Sequence, residues 1–307
     1  MLSFILSFGI ITKIWYDYLE NIKRHIQEKM KKIYTAQYRC NATFTEALKA
    51  LFFQAKEYQW QIWLTIKKKI HQTYQQDTFG LFWSIVMPII PMTVYMVLAQ
   101  IKVFKTVENM PFVYYISMGM LVWLLMATGI HSMLLAIKSE KSILTTTNFP
   151  IFPALLSRLG EVLHDTVIRL AVVAIIVIWY NVDVTFTHLI LALLSLIPAI
   201  IFAMGVGMLL SILDIIVQDT RRIVLLVLRY GLFISSVIFP FPETGIAGLI
   251  NDFNFFNTFV NAPRDLLHHG SIHQPMVFFI TSLVGILIFI FAAKLIYTMD
   301  YKIRAYL

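Results

Sequence analysis

The chain has 307 residues, of which 59% are hydrophobic and only 14% charged, with a formal net charge of +8. A soluble domain carries about a quarter charged residues, so this composition excludes an ordinary soluble enzyme and indicates an integral membrane protein. The single cysteine, Cys40, excludes an intramolecular disulfide framework and a cysteine zinc cluster.

Residues 1–15 imitate a signal peptide, but no basic segment precedes the apolar run and no small-residue cleavage site follows it. The run stops near Ile11, short of the roughly 20 residues that cross a bilayer, and reads as an interfacial helix. Residues 18–38 are basic and helical in pattern, and read as a solvated helix rather than a nucleic-acid arm. Further on, Trp60, Trp63, Leu64, Ile70 and Tyr74 fall on one face at helical spacing, while Gln61, Lys68, Lys69 and Gln72 fall elsewhere. Aromatic anchors with basic flanks suit a helix lying in the membrane interface. Residues 1–78 are therefore expected to form a cytoplasmic arm carrying this interface helix, and residues 79–307 a six-helix membrane domain.

Six apolar stretches are long enough to serve as spans, at about 79–101, 112–137, 161–180, 189–217, 223–239 and 276–297. The fold class expected is all-α. Between the fifth and sixth stretches, residues 241–260 are apolar and aromatic but broken by Pro242, Gly245, Gly248, Asn251 and Asn254. That pattern predicts a re-entrant segment on the extracytoplasmic side, since irregular backbone survives at membrane depth only against protein or water. Pro88 and Pro91 lie in the first span, where each removes a backbone donor; they kink a gating helix or are the ordinary prolines of membrane helices.

The basic residues set the orientation. Twenty-one of the 25 fall before the first span, in the loops after the second and fourth, or in the tail. Lys102, Lys105 and Arg264 lie on the other side, and Arg229 within a span. By the positive-inside rule both termini are cytoplasmic. An ionisable residue inside a span is a functional hypothesis by default. Asp214 and Arg229 lie on consecutive antiparallel helices and are expected to pair, or both to face a wet cavity. His268, His269 and His273, near Asp265, match no zinc spacing and read as loop histidines, so no metal site is expected. Glu161, His164 and Asp165 sit where a helix enters the bilayer, as capping groups or as the acid and base of a membrane-surface transferase.

No Gly-x-x-x-x-Gly-Lys-Ser/Thr segment occurs in this sequence, nor His-Glu-x-x-His, nor Gly-x-Ser-x-Gly. ATP hydrolysis is therefore expected elsewhere, and this chain is expected not to be an enzyme.

The run Gln72-Thr73-Tyr74-Gln75-Gln76-Asp77-Thr78-Phe79-Gly80-Leu81-Phe82-Trp83-Ser84-Ile85-Val86-Met87-Pro88 resembles the start of the first span in permeases of type-2 ABC exporters. These export O-antigen, teichoic acid and capsule. The segment from Leu144 through Asn148-Phe149-Pro150-Ile151-Phe152-Pro153 resembles the family's cytoplasmic loop between spans two and three. Asp219-Thr220-Arg221-Arg222 resembles its turn between spans four and five. Asn254-Phe255-Phe256-Asn257-Thr258-Phe259 and Arg264-Asp265-Leu266-Leu267 resemble its extracytoplasmic segment, although Pro263 interrupts what is usually a helix there.

The resemblance implies a homodimer with two copies of a separate P-loop ATPase, in the bacterial cytoplasmic membrane. The cargo would be a polyprenyl-diphosphate-linked glycan, and no nucleic acid is involved. This chain would hold no cofactor; ATP and Mg would act through the partner. Lys141, Phe149, Pro150, Phe152 and Pro153, with the arm helix, would couple to the ATPase. Phe82, Trp83, Tyr95, Tyr114 and Trp123 would stack on sugar rings along the pathway, with Arg264 and Asp265 toward its outer end; a membrane-interface belt explains the same aromatics. Two rivals stay open: a permease of the same build for a lipid or drug, and an integral membrane glycosyl- or acyltransferase.

Overall fold

The computed structural model describes residue 39, residues 42–76, scattered positions between 82 and 101, and residues 110–147, 149–182, 184–238, 240, 248 and 254–307. Side chains at 73–76 lie outside this description, Tyr74 among them. The chain divides into two units, Met1–Ala42 and Thr43–Leu307, and every element below belongs to the second. Among the described residues all regular structure is helical.

Helix α1 (Phe44–Glu57) opens with a capping box: Thr43 Oγ1 accepts from Glu46 N–H at 3.3 Å, and Glu46 Oε2 accepts from Thr43 N–H at 2.9 Å. Helix α2 (Gln59–Gln76) follows after Tyr58. Its Trp60, Trp63 and Leu64 are exposed. Ile70 is half-buried, and the inner face packs on a later helix.

Helix α3 (Phe112–Ser139) is the axis of the domain. At 28 residues it is about 42 Å long, and most of its side chains are buried. The short α4 (Lys141–Thr146) leads to α5 (Ile151–Trp179), then α6 (Phe186–Ile216), α7 (Thr220–Ile234), α8 (Phe255–His269) and α9 (Pro275–Tyr306). Helices α3, α5, α6 and α9 are long and apolar enough to cross a membrane.

Close packing of α6 against its neighbours rests on small residues, the usual basis of helix association in lipid. A side chain added at Gly205 would meet the α9 backbone, 2.7 Å from Phe289 N. One added at Gly207 would press on the α3 backbone at Ile130.

The expected spans at 112–137 and 189–217 correspond to α3 and α6. The third begins earlier than expected: α5 starts at Ile151, so Ile151, Phe152 and Pro153 form a helical first turn rather than loop. Proline is tolerated there because first-turn N–H groups have no partner inside the helix. The sixth extends to Tyr306. The fifth is shorter than expected, since α7 stops at Ile234 after 15 residues, about 22 Å against a core of about 30 Å. It is also amphipathic, burying Val224, Leu228 and Leu232 on one face, and a buried turn at 235–238 follows it. The described positions between 82 and 98 are helical; the rest of the first span, Pro88 and Pro91 included, and residues 241–247 of the expected re-entrant segment lie outside the described residues. Helix α8 forms the last part of that segment and continues through Pro263, contrary to the expected interruption. Asn254 caps it, accepting from Phe256 N–H at 3.0 Å, and Gly270 ends it in the left-handed conformation at φ 72°.

Candidate functional site

Chemistry-bearing side chains collect at the two ends of α3. At its C-terminal end Glu140, 5% exposed, accepts from Lys69 of α2 and from Arg158 of α5 at 2.9 Å. Glu161 pairs with the same two cations, Lys69 at 3.1 Å and Arg158 at 3.2 Å. Arg158 also donates to Ser139 Oγ at 2.7 Å. Two carboxylates and two cations thus compensate one another and join α2, α3 and α5. Glu161 belongs to this network; His164 and Asp165 lie one turn on, their side chains 3.5 Å apart.

A second cluster lies at the same end. Asp214, 1% exposed, pairs with Lys138 of α3 at 2.9 Å and Arg221 of α7 at 3.4 Å. Lys138 also donates to the Asp214 carbonyl at 2.5 Å. The expected Asp214–Arg229 pair is therefore corrected: Arg229 is exposed on α7. Asp214 lies two residues from the end of α6, whereas Arg229 lies nine residues into α7, about 13 Å along its axis. The depths differ too much for a contact, and nearer cations at the helix ends take the carboxylate.

The α3–α5 connection is clamped from two sides. Arg304 of α9 donates to the carbonyls of Leu144 at 2.6 Å and Phe149 at 2.5 Å. The Tyr58 ring meets Phe149 edge-on at 5.6 Å. Of the residues expected to couple to a partner, Lys141 is exposed, Phe149 and Pro150 are half-buried, and Phe152 and Pro153 are buried. The last two are corrected as docking residues, because the first turn of α5 turns them into the core. The face left open is Lys141, Ser142, Ile143 and Thr145–Thr147.

The expected pathway aromatics separate into two groups. Phe82 and Trp83 are exposed and meet edge-on at 5.6 Å; Tyr95 is half-buried against Phe233 at 6.5 Å. Tyr114 and Trp123 are core residues, at 0% and 3% exposure, and so do not offer faces to a ligand in this arrangement. Trp123 packs on Phe256 at 5.2 Å, and the Tyr114 hydroxyl donates to the Arg264 carbonyl at 3.4 Å. Trp123 also lies against α7, where a side chain added at Gly231 would meet its ring.

At the N-terminal end of α3 a polar cavity of about 230 Å³ opens beside α8. Arg264, 2% exposed, forms its wall and donates to three oxygens: the Tyr115 carbonyl at 3.0 Å, the Ser236 carbonyl at 3.1 Å and Asn261 Oδ1 at 2.9 Å. Its guanidinium also stacks on the Tyr115 ring at 3.5 Å. Asn257 Oδ1 accepts from Ser236 N–H at 2.7 Å, holding the buried turn. Asp265 Oδ2 accepts from His273 N–H at 3.1 Å. Burial pushes the Asp265 carboxyl above its ordinary range, against the lowering effect of that hydrogen bond and of nearby Arg264, His273 and His269. The His268 and His269 rings meet edge-on at 4.5 Å, and among the described residues no three histidine, cysteine or carboxylate groups converge as a metal site.

Sequence reasoning placed Arg264 and Asp265 in one functional segment but missed Lys69, Glu140, Arg158 and Lys138 as a set. The signal was present for Lys69, which shares a helical face with Ile62 and Ile66, and for Glu140, a carboxylate directly at the end of an apolar span.

The family model described as ABC-2 type transporter matches residues 60–268. The O-antigen export system permease protein RfbA of Myxococcus xanthus is 22% identical over 175 residues, 57% of this chain and 66% of that protein. The chain thus spans just under two thirds of that relative's length.

Proposed function

The chain belongs to the ABC-2 type transporter family, and from that premise we propose that it is the membrane subunit of an ATP-driven exporter of a polyprenyl-diphosphate-linked polysaccharide. The observation that carries the cargo is the similarity to a protein named as an O-antigen export permease. In this reading the chain crosses the bacterial cytoplasmic membrane six times with both termini inside. It pairs with a second copy and with two copies of a separate P-loop ATPase, which supplies ATP and Mg. The basic residues support the orientation, since the Lys69–Glu140 end of α3 is the basic end.

The geometry supports a route for coupling. The exposed face around α4 and Lys141 receives the ATPase. Arg304 carries that contact to α9, the Asp214 cluster carries it to α6 and α7, and the Glu140 cluster to α2 and α5. A ligand-driven change requires contacts that differ between two states, and ion pairs shared among helices are contacts that exchange.

The test is affinity purification of the tagged chain from gently solubilised native membranes, together with staining of surface glycan in a deletion strain. A P-loop ATPase in equal amount and loss of a surface glycan are expected. No ATPase would overturn the transporter reading; an ATPase with unchanged surface glycan would overturn the cargo.

A further inference from the structure

We propose that the cavity between α3, α8 and the 235–238 turn is a binding subsite for a single sugar unit, with Asp265 as its principal hydrogen-bond acceptor. This rests on the exporter reading, in which the cavity faces the extracytoplasmic side, and adds a stationary contact for the cargo there.

The wall chemistry is that of a polyhydroxyl ligand. Asp265, Asn261, Thr258, His269, His273 and Gln274 supply both donors and acceptors around one space, and Tyr115 with Ile272 supplies apolar floor. Sugars present alternating hydroxyls and C–H faces, so a site that recognises them needs this mixture. At about 230 Å³ the cavity falls below the ~300–1,000 Å³ of drug-sized pockets, and takes one ring rather than a chain. Of the two Asp265 oxygens only Oδ2 has a hydrogen bond among the described residues, from His273 N–H. Arg264 is part of this wall, with its N–H groups directed to carbonyl and amide oxygens, and no carboxylate among the described residues lies within ion-pairing distance of it. The cation therefore holds the turn and α8 in register, while the acceptors of α8 face the ligand.

Preorganisation is visible in the backbone. Gly119 allows α3 to approach so closely that a side chain there would strike the Arg264 guanidinium and lie 2.8 Å from the Val237 carbonyl. Asn257 fixes the same turn through Ser236 N–H. The cavity wall is thus held by buried hydrogen bonds rather than by loop ordering, which lowers the entropy lost on binding.

The experiment is saturation-transfer NMR on the purified chain in lipid nanodiscs, with glucose, galactose, mannose, rhamnose and N-acetylglucosamine as probes. Transfer to at least one sugar is expected. It should be about tenfold weaker in Asp265→Asn and in Thr258→Val, and unchanged in Trp60→Ala, at the other end of the domain. Thr258→Val keeps the side-chain shape, so the test survives if Asp265→Asn fails to fold. No transfer from any probe, or equal transfer in both variants, would overturn the subsite. Failure of the exporter reading appears separately, as absence of the ATPase from the purified complex.

Discussion

Replacing Glu140 by glutamine separates the ionic account of the α3 base from simple packing. The substitution keeps volume and shape and removes one charge. Among the described residues Lys69 and Arg158 then keep Glu161 as a shared carboxylate, and the four-membered set these residues form goes from no net charge to +1. Breaking a fully buried pair by removing one partner costs about 3–5 kcal/mol. Lys69 and Arg158 side chains are 18% and 21% exposed and retain a second carboxylate, so about 2 kcal/mol is the reasoned loss here. At about 2–4 °C per kcal/mol, thermal unfolding in detergent should begin on the order of 5 °C lower. The decisive measurement is a double-mutant cycle with Lys69→Gln, which restores neutrality. The double variant should recover half or more of the loss, a coupling of about 1 kcal/mol plus whatever Lys69→Gln costs alone. Unchanged unfolding in Glu140→Gln, or additive single effects, would refute the ionic account and assign Glu140 to packing alone.

Asp214→Asn leaves Lys138 and Arg221 without their carboxylate and should destabilise the chain by about 2–3 kcal/mol, whereas Arg229→Gln, on an exposed side chain, should shift unfolding by under about 0.5 kcal/mol and fail to rescue it; rescue would restore the Asp214–Arg229 pair. Gly205→Ala presses a methyl group on the backbone of Phe289, which cannot swing aside, so a loss toward the upper end of about 1–3 kcal/mol is expected in unfolding assays. The Thr43 backbone and side-chain hydrogen bonds hold the Glu46 carboxyl below its ordinary range. The stability this adds to α1 is complete above the ordinary glutamate range and is lost as pH falls through the lowered folded value. The protection factors of the amides at 44–47, with exchange corrected for its intrinsic pH dependence, should therefore fall on acidification in the native chain and show no such pH step in Glu46→Gln.

What could be read from the sequence follows from what one-dimensional pattern encodes. Apolar length gave α3, α6 and α9 because burial in lipid is a property of each segment alone. It gave α7 the wrong length, since Val237 and Ile238 continue the apolar run while the backbone turns at Ser235 and Ser236. A buried turn and a buried helix have the same composition. The start of α5 was misread for a related reason: Pro150 and Pro153 look like loop residues but suit a helical first turn. Charge partners were the least legible. Asp214 and Arg229 share sequence neighbourhood and apolar surroundings, yet the partners that reach the carboxylate are Lys138, 76 positions away, and Arg221. Pairing across helices depends on rotation and depth, which periodicity does not fix.

Asp265 bears on whether the α8 cavity is shaped for stability or for a ligand. Burial raises its pKa, so between the ordinary aspartate range and the folded value the native chain binds more protons than the unfolded one. Stability must then fall as pH rises through that window, and above it the chain carries an ionised carboxylate at a net cost. Such a cost is found both at functional sites and in structural networks, and the two are separated by what its removal does. Asparagine keeps an acceptor for His273 N–H and removes the charge. Asp265→Asn should therefore be at least as stable as the native chain at neutral pH, and its unfolding should lose the pH step when scanned upward from about pH 4. The same variant is expected to lose sugar binding. Stability and binding moving in opposite directions is what a ligand-serving carboxylate requires; a marked loss of stability at neutral pH would instead make Asp265 a structural acceptor for the 270–274 turn.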